Sequence, residues 1–365
     1  MLLFNKSGNS KKILDCKRQR MSVMRTTVTP DQAKAGMVLA SPVISDTGKV
    51  VLEEGVILTD SFIERLMLLG IKTVHIQLSE TMPVKEQFTA FYEDTLGKIK
   101  DGFANISYFK EVPVVQMREL VDNAVNPMVD IPGAILYLNA IQQSDDCTFK
   151  HSLGVAVITG VFAKWAGYQG ERLKDAILAG LLHDIGKLSI PAAILTKPGR
   201  LTDIEMAIVK KHPVEGYRLL TQAPTVTQEV LLGVLQHHER MDGTGYPFGH
   251  KAEKIHPLAR LISISDMYEA MTSKRVFRDR LIPFRVIEEI NQSMFGKLDP
   301  ELCLMFLDKI RESLIGTTVL LSDGRKAMII SAGSFAGKGP VIMTEDDEAL
   351  DLGKMTDITI LECIA

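Results

Sequence analysis

The chain lacks the devices that hold small secreted proteins together. Its 365 residues include only four cysteines, Cys16, Cys147, Cys303 and Cys363, spread far apart with no CxxC pair. Neither a disulfide framework nor a cysteine zinc site is implied, and reduced thiols fit a cytoplasmic location. It also lacks an excess of charge of either sign, since 42 Lys and Arg stand against 45 Asp and Glu for a net charge of −3. That balance argues against a broad electrostatic surface for duplex nucleic acid. No long hydrophobic run is present: the most apolar stretch, from Ser152 to Ala163, covers 12 residues before Lys164. A membrane-crossing helix needs ~18–20, so no span is expected. At the start, the apolar residues precede the basic ones, the reverse of a secretory signal, and residues 1–25 read as a flexible tail. Fixed-period repeats and low-complexity tracts are missing too.

What remains is an ordinary globular composition, 46% hydrophobic and 24% charged, long enough for two or three domains. Residues 26–82 predict a small α/β module. Strand-like MVLASPVI and KVVL flank an Asp46-Thr47-Gly48 turn. Ser61 and Glu64 suggest a capping box, Gly70 a helix stop, and Val74, Ile76 and Leu78 alternate as in a strand. Residues 83–130 read as an amphipathic helical connector. From 131 to 312 helical periodicity dominates, with a strongly apolar helix around Ala176 to Leu182 and a capping box from Thr202 to Glu205. After Gly316 the runs TTVLL, AMII, PVIM and ITIL predict a small β appendage over 313–365. The fold class expected is therefore multidomain and mainly α, an all-α bundle with a small α/β module before it and a small β module after it.

Chemistry concentrates in the bundle. Five of the eight histidines, His151, His183, His212, His237 and His238, fall there. The steps from His151 to His183, His212 and His237 are 32, 29 and 25 residues, and Asp266 follows His238 by 28. Each step is about one helix plus a connection, so successive helices can each aim one ligand inward. Mixed imidazole and carboxylate suits first-row transition metals. Neighbouring helical residues point ~100° apart, so His183-Asp184 and His237-His238 address two ions more easily than one, with Asp184 as the natural bridge. A lone buried histidine usually only satisfies a core hydrogen bond, and His75, His250 and His256, which have no such company, are read that way.

The segments HSLGVA from His151, LLHDIGKLSIP from Leu181, KHPVEG from Lys211, HHERMDGTGYP from His237 and SDMYEAMTSKRVFR from Ser265 resemble the HD-GYP family, within the HD superfamily of metal-dependent phosphohydrolases. The resemblance implies an HD-type helical core and hydrolysis of cyclic di-GMP to linear pGpG, with GMP as a further product, through a metal-bridged hydroxide. It implies His151, His183, Asp184, His212, His237, His238 and Asp266 as metal ligands. Asp184 and Lys187 would be catalytic, and Lys187, Tyr246, Arg275 and Arg278 would contact substrate. Where family members carry a third-metal glutamate four residues before the first histidine, this chain has Cys147, so a centre of two ions is expected. Iron or manganese suits such a site, and zinc, nickel and cobalt bind the same ligands. Phe277 replaces a frequent tyrosine, removing one hydroxyl. A homodimer is expected by analogy. The competing expectation is a catalytically weak cyclic di-GMP sensor or scaffold using the same pocket.

Overall fold

A computed structural model describes residues 24–44, 50–78, 84–109, 112–141, 147–223, 225–273, 281–293, 296–333, 339–355 and 357–364. The chain divides into two compact units at Pro83.

In the first unit, strand β1 (Met24–Val28) is followed by a short hairpin, β2 (Val43–Ile44) and β3 (Val50–Leu52), then helix α1 (Asp60–Leu68) and strand β4 (Val74–Leu78). β1 and β4 pair antiparallel, and Leu39, Leu58, Leu66, Val74 and Ile76 form their core. The alternation of Val74 and Ile76 places both inward, as a period-2 pattern requires. The start of α1 differs from expectation. Thr59 is the N-cap, its Oγ1 accepting from Phe62 N at 3.2 Å, while Ser61 lies inside the helix and hydrogen-bonds Thr59. Both hydroxyls can cap, and the one that leaves Phe62 facing the core prevails. Gly70 ends the helix with a positive φ of 67°, as a left-handed stop demands.

The second unit begins with α2 (Val84–Phe109) and α3 (Val114–Leu120), which runs through a π turn (Val121–Val125) into α4 (Asn126–Val129) and then α5 (Ala134–Ile141). The bundle follows: α6 (Cys147–Trp165), α7 (Gly170–Leu182), α8 (Ala192–Leu195), α9 (Asp203–Val209), α10 (His212–Leu220), α11 (Gln228–Gln236), α12 (Pro257–Thr272), α13 (Pro283–Ser293) and α14 (Pro300–Leu314). α6 is the central post. Residues 152–160 are buried without interruption, because α7 and α12 pack against it and α4 and α5 close its other sides. This explains why its apolar run shows no amphipathic stripe. The Thr202–Glu205 capping box forms as expected.

Five antiparallel strands close the chain: β5 (Thr318–Leu321), β6 (Lys326–Ser331), β7 (Val341–Thr344), β8 (Ala349–Asp351) and β9 (Ile360–Ile364), in the order β8-β7-β6-β5-β9. Val319, Leu321, Ile329 and Ile342 on the sheet belong to the same contiguous core as the helices. Among the described residues, no helix is long and apolar enough to cross a membrane.

Candidate metal centre

The structure brings all seven expected ligands together. His151 sits in the second turn of α6, His183 and Asp184 directly follow α7, His212 opens α10, His237 and His238 directly follow α11, and Asp266 lies within α12. Their ligand atoms fall into two adjoining groups, Asp184, His212, His237 and His238 in one, and His151, His183 and Asp266 in the other. Asp184 joins the two. Its Oδ1 lies 3.2 Å from His212 Nε2 and 4.0 Å from His237 Nε2, while its Oδ2 lies 3.4 Å from His183 Nε2 and 3.6 Å from His151 Nε2. Asp266 Oδ1 is 3.2 Å from His151 Nε2.

Local folding fixes how the rings face. His183, His212 and His237 each end or begin a helix, so the carbonyl three residues back is at hand. Nδ1 donates to Gly180 O at 2.8 Å, Val209 O at 2.8 Å and Val234 O at 2.7 Å respectively. A proton held on Nδ1 leaves Nε2 as a bare lone pair turned into the cluster, the arrangement metal-binding histidines use. Gly186 allows these pieces to meet. A Cβ there would lie 2.0 Å from His212 O and 2.5 Å from Gly216 N, so only glycine lets the turn after Asp184 lie against the start of α10.

The group fits cations and fits badly without them. His183 Nε2 and Asp184 Oδ1 are buried with no hydrogen-bond partner. His212 Nε2 and His237 Nε2 stand 3.3 Å apart, yet with both Nδ1 atoms donating elsewhere neither can donate to the other. Two lone pairs and a carboxylate oxygen converging in a largely buried site are stabilised by positive charge between them. Lys187 meets part of that need, its Nζ hydrogen-bonding Asp184 Oδ2.

For His237, His238 and Asp184 the electrostatics agree with ligand duty. Burial pushes His237 well down, and it lowers His238 to about 3, so both imidazoles are neutral near pH 7. Burial would raise the Asp184 carboxyl, but Lys187 and His183 outweigh it and hold the group ionised well below the carboxylate range. His151 shows the opposite: burial lowers it, but Glu269, Asp184 and Asp266 together raise it well above an ordinary imidazole.

The GYP loop borders the cluster. The Tyr246 ring stacks on His238 with centroids 4.6 Å apart, and Lys210 Nζ lies 5.5 Å from the Tyr246 centroid. Burial raises the Tyr246 phenol, keeping it protonated. Gly245 is required: a Cβ there would lie 2.4 Å from Arg240 N and 2.5 Å from His238 O. Arg275, Phe277 and Arg278, and the side chain of Cys147, lie outside the described residues. His75, His250 and His256 make local contacts instead, with Thr27, Gln236 and the backbone of Leu258.

Two acidic residues escaped the sequence reading. Glu269 is 1% exposed and hydrogen-bonds His151 Nδ1. Its signal was its place one turn after Asp266. Glu239, 3% exposed, accepts from Phe248 N at 2.8 Å and His250 N at 2.9 Å and so ties down the GYP loop. Adjacency to His238 was the only clue.

A family model described as HD domain matches residues 138–302. A cyclic di-GMP phosphodiesterase of Pseudomonas aeruginosa is 36% identical over 212 residues, 58% of this chain and 51% of that protein. A 3'3'-cGAMP-specific phosphodiesterase of Vibrio cholerae is 34% identical over 169 residues, 46% of this chain and 39% of that one. The chain thus spans about half the length, or less, of these curated relatives. Among solved structures, an HDGYP protein from Bdellovibrio bacteriovorus shares the fold, with a TM-score of 0.53 and 16% identity, covering 79% of this chain and 100% of that one.

Proposed function

We propose that this chain, which matches an HD domain over residues 138–302 and resembles HD-GYP sequences, is a metal-dependent phosphodiesterase that opens cyclic di-GMP to linear pGpG. The observation that carries the reading is the convergence of seven side chains on a largely buried, two-part cluster in which His183 Nε2 and Asp184 Oδ1 have no hydrogen-bond partner. Those seven would hold two divalent transition-metal ions, with iron or manganese suited to the mixed nitrogen and oxygen set. Bound there, such ions supply Lewis acidity, polarising the phosphate and making water acidic enough to attack near neutral pH.

The chain's own groups do the rest. Asp184 presents one oxygen to each half of the cluster and so sets their spacing. Lys187 is paired with Asp184 Oδ2. With that carboxylate engaged in holding ions, the Lys187 ammonium would be free to turn towards a phosphate oxygen or the departing ribose oxygen. Tyr246, kept protonated on a loop anchored by Glu239, donates a hydrogen bond to the dinucleotide. Arg275 and Arg278 are assigned to phosphate or guanine edges on the strength of the family pattern alone. Residues 26–82 are assigned a regulatory role, and a homodimer is proposed, by analogy alone.

A cyclic di-GMP sensor with weak catalysis is the second reading, favoured by Cys147 standing where the family pattern this sequence resembles has a glutamate. Incubating the metal-loaded protein with cyclic di-GMP and, in parallel, with 3'3'-cGAMP, and separating the products by chromatography, tests both. The expected result is pGpG from cyclic di-GMP at many turnovers per chain. Tight binding without product would establish the sensor, and faster cleavage of 3'3'-cGAMP would reassign the substrate.

A further inference from the structure

The histidines of the cluster are not oriented alike. His183, His212 and His237 give their Nδ1 protons to neutral backbone carbonyls. His151 gives its Nδ1 side to Glu269, a buried carboxylate on α12. The other Glu269 oxygen, Oε1, accepts from Ser273 Oγ at 2.6 Å, which holds the carboxylate in place. Asp266 and Glu269 are one helical turn apart and grip opposite edges of the same ring, Asp266 at Nε2 and Glu269 at Nδ1. Glu269 therefore meets the Nδ1 edge of the ring, while the shared cluster lies on its Nε2 edge. Its reach to an ion is through His151 and not direct.

This makes the two halves of the centre chemically unequal. The half built from His212, His237 and His238 has one carboxylate, the shared Asp184. The half built from His151 and His183 has the other oxygen of Asp184, all of Asp266, and Glu269 behind the imidazole. A carboxylate behind a ligating histidine fixes its tautomer and raises its basicity, and losing such a partner typically costs roughly 10–100-fold in metal affinity.

We propose that Glu269 is a positioning residue that orients His151 and makes the His151–His183–Asp266 half the more anionic one, so that the two halves bind divalent cations with unequal affinity. The inference rests on the metal-centre part of the reading above and is independent of the substrate.

Titration of the metal-free full-length protein with Mn2+ alone, following free Mn2+ by electron paramagnetic resonance, tests it. The wild type should bind two ions in two affinity classes. Glu269→Gln keeps an acceptor for the ring but removes the charge, and should weaken one class by roughly 10-fold while sparing the other. Glu269→Ala removes both and should weaken the same class further, towards 100-fold. Identical titrations for wild type and Glu269→Gln would overturn the proposal, as would equal weakening of both classes, which marks a structural role. A wild type that takes up two ions yet leaves cyclic di-GMP intact would sink the phosphodiesterase reading and leave this one standing.

Discussion

Asp184 and Lys187 touch one another, yet their removal should have different consequences. Asp184→Ala deletes the carboxylate shared by both halves of the cluster and leaves five imidazoles and an ammonium around one remaining ligand carboxylate. The expected outcome is loss of both ions, read by elemental analysis, together with loss of hydrolysis. Lys187→Ala leaves every ligand in place. It should keep both ions and lower kcat by about 10²–10³-fold, the usual effect of removing one donor to developing charge, with KM changed far less. An Asp184→Ala enzyme with full turnover would refute the chemistry. The seven side chains that converge were legible in the sequence because imidazoles are scarce and their spacing matched helix lengths. Glu269 was not, since a glutamate one turn along a helix normally marks a solvated face, and only the packing of α12 on α6 turns it inward. Nor could the sequence show His212 and His237 facing each other with unshared lone pairs, because that depends on where two separate helices start and stop.

Helix ends were read unevenly. The box of Thr202 with Glu205 forms. Ser61 competed with Thr59 and lost. β8, at three residues, is too short to show alternation, and β1 begins inside the segment read as tail. The Glu205 carboxyl, held at about 2 by Lys197 and the Thr202 backbone, gives a pH signature. Its folded value is below the unfolded one, so its contribution is full above about 4.5 and is lost as pH falls towards 2. The stability difference between wild type and Glu205→Gln should therefore shrink on acidification through that window, and a constant difference would argue against the box. Two glycines make a sharper pair. Gly186→Ala forces a Cβ into His212 O and Gly216 N and should cost about 1–3 kcal/mol or more, as overpacking against backbone does, measured by urea unfolding. Gly97, exposed within α2 with nothing within 4 Å, should gain ~0.5–1 kcal/mol as alanine.

At the scale of the molecule, the periodicity changes near residues 131 and 312 mark where the sequence pattern shifts, while the buried core of the second unit continues across both. Phe88, Tyr92, Ile99, Val121, Val125 and Met128 on one side, and Val319, Leu321 and Ile329 on the other, share one cluster with the bundle. A polar tie runs the same way. Arg118 on α3 pairs with Asp175 on α7 at 2.8 Å, and Asp175 accepts from Thr227, the N-cap of α11, at 2.7 Å. α7 and α11 are the helices that deliver His183, Asp184, His237 and His238, so the connector helps set the register of these candidate ligands. Removing Arg118 leaves the mostly buried Asp175 carboxylate without its counter-charge, and Arg118→Ala should cost about 3 kcal/mol. Each large side chain named above contributes ~1.5–3 kcal/mol of burial against a net stability of about 5–15 kcal/mol, so losing them all exceeds what a domain can spare. A fragment of residues 131–312 should therefore fail to unfold cooperatively in urea and fail to take up Mn2+. Residues 84–365, which retain the whole cluster and all seven ligands, should unfold in one transition and bind two ions per chain. A cooperative, metal-binding 131–312 fragment would show instead that the HD bundle needs neither the connector nor the sheet.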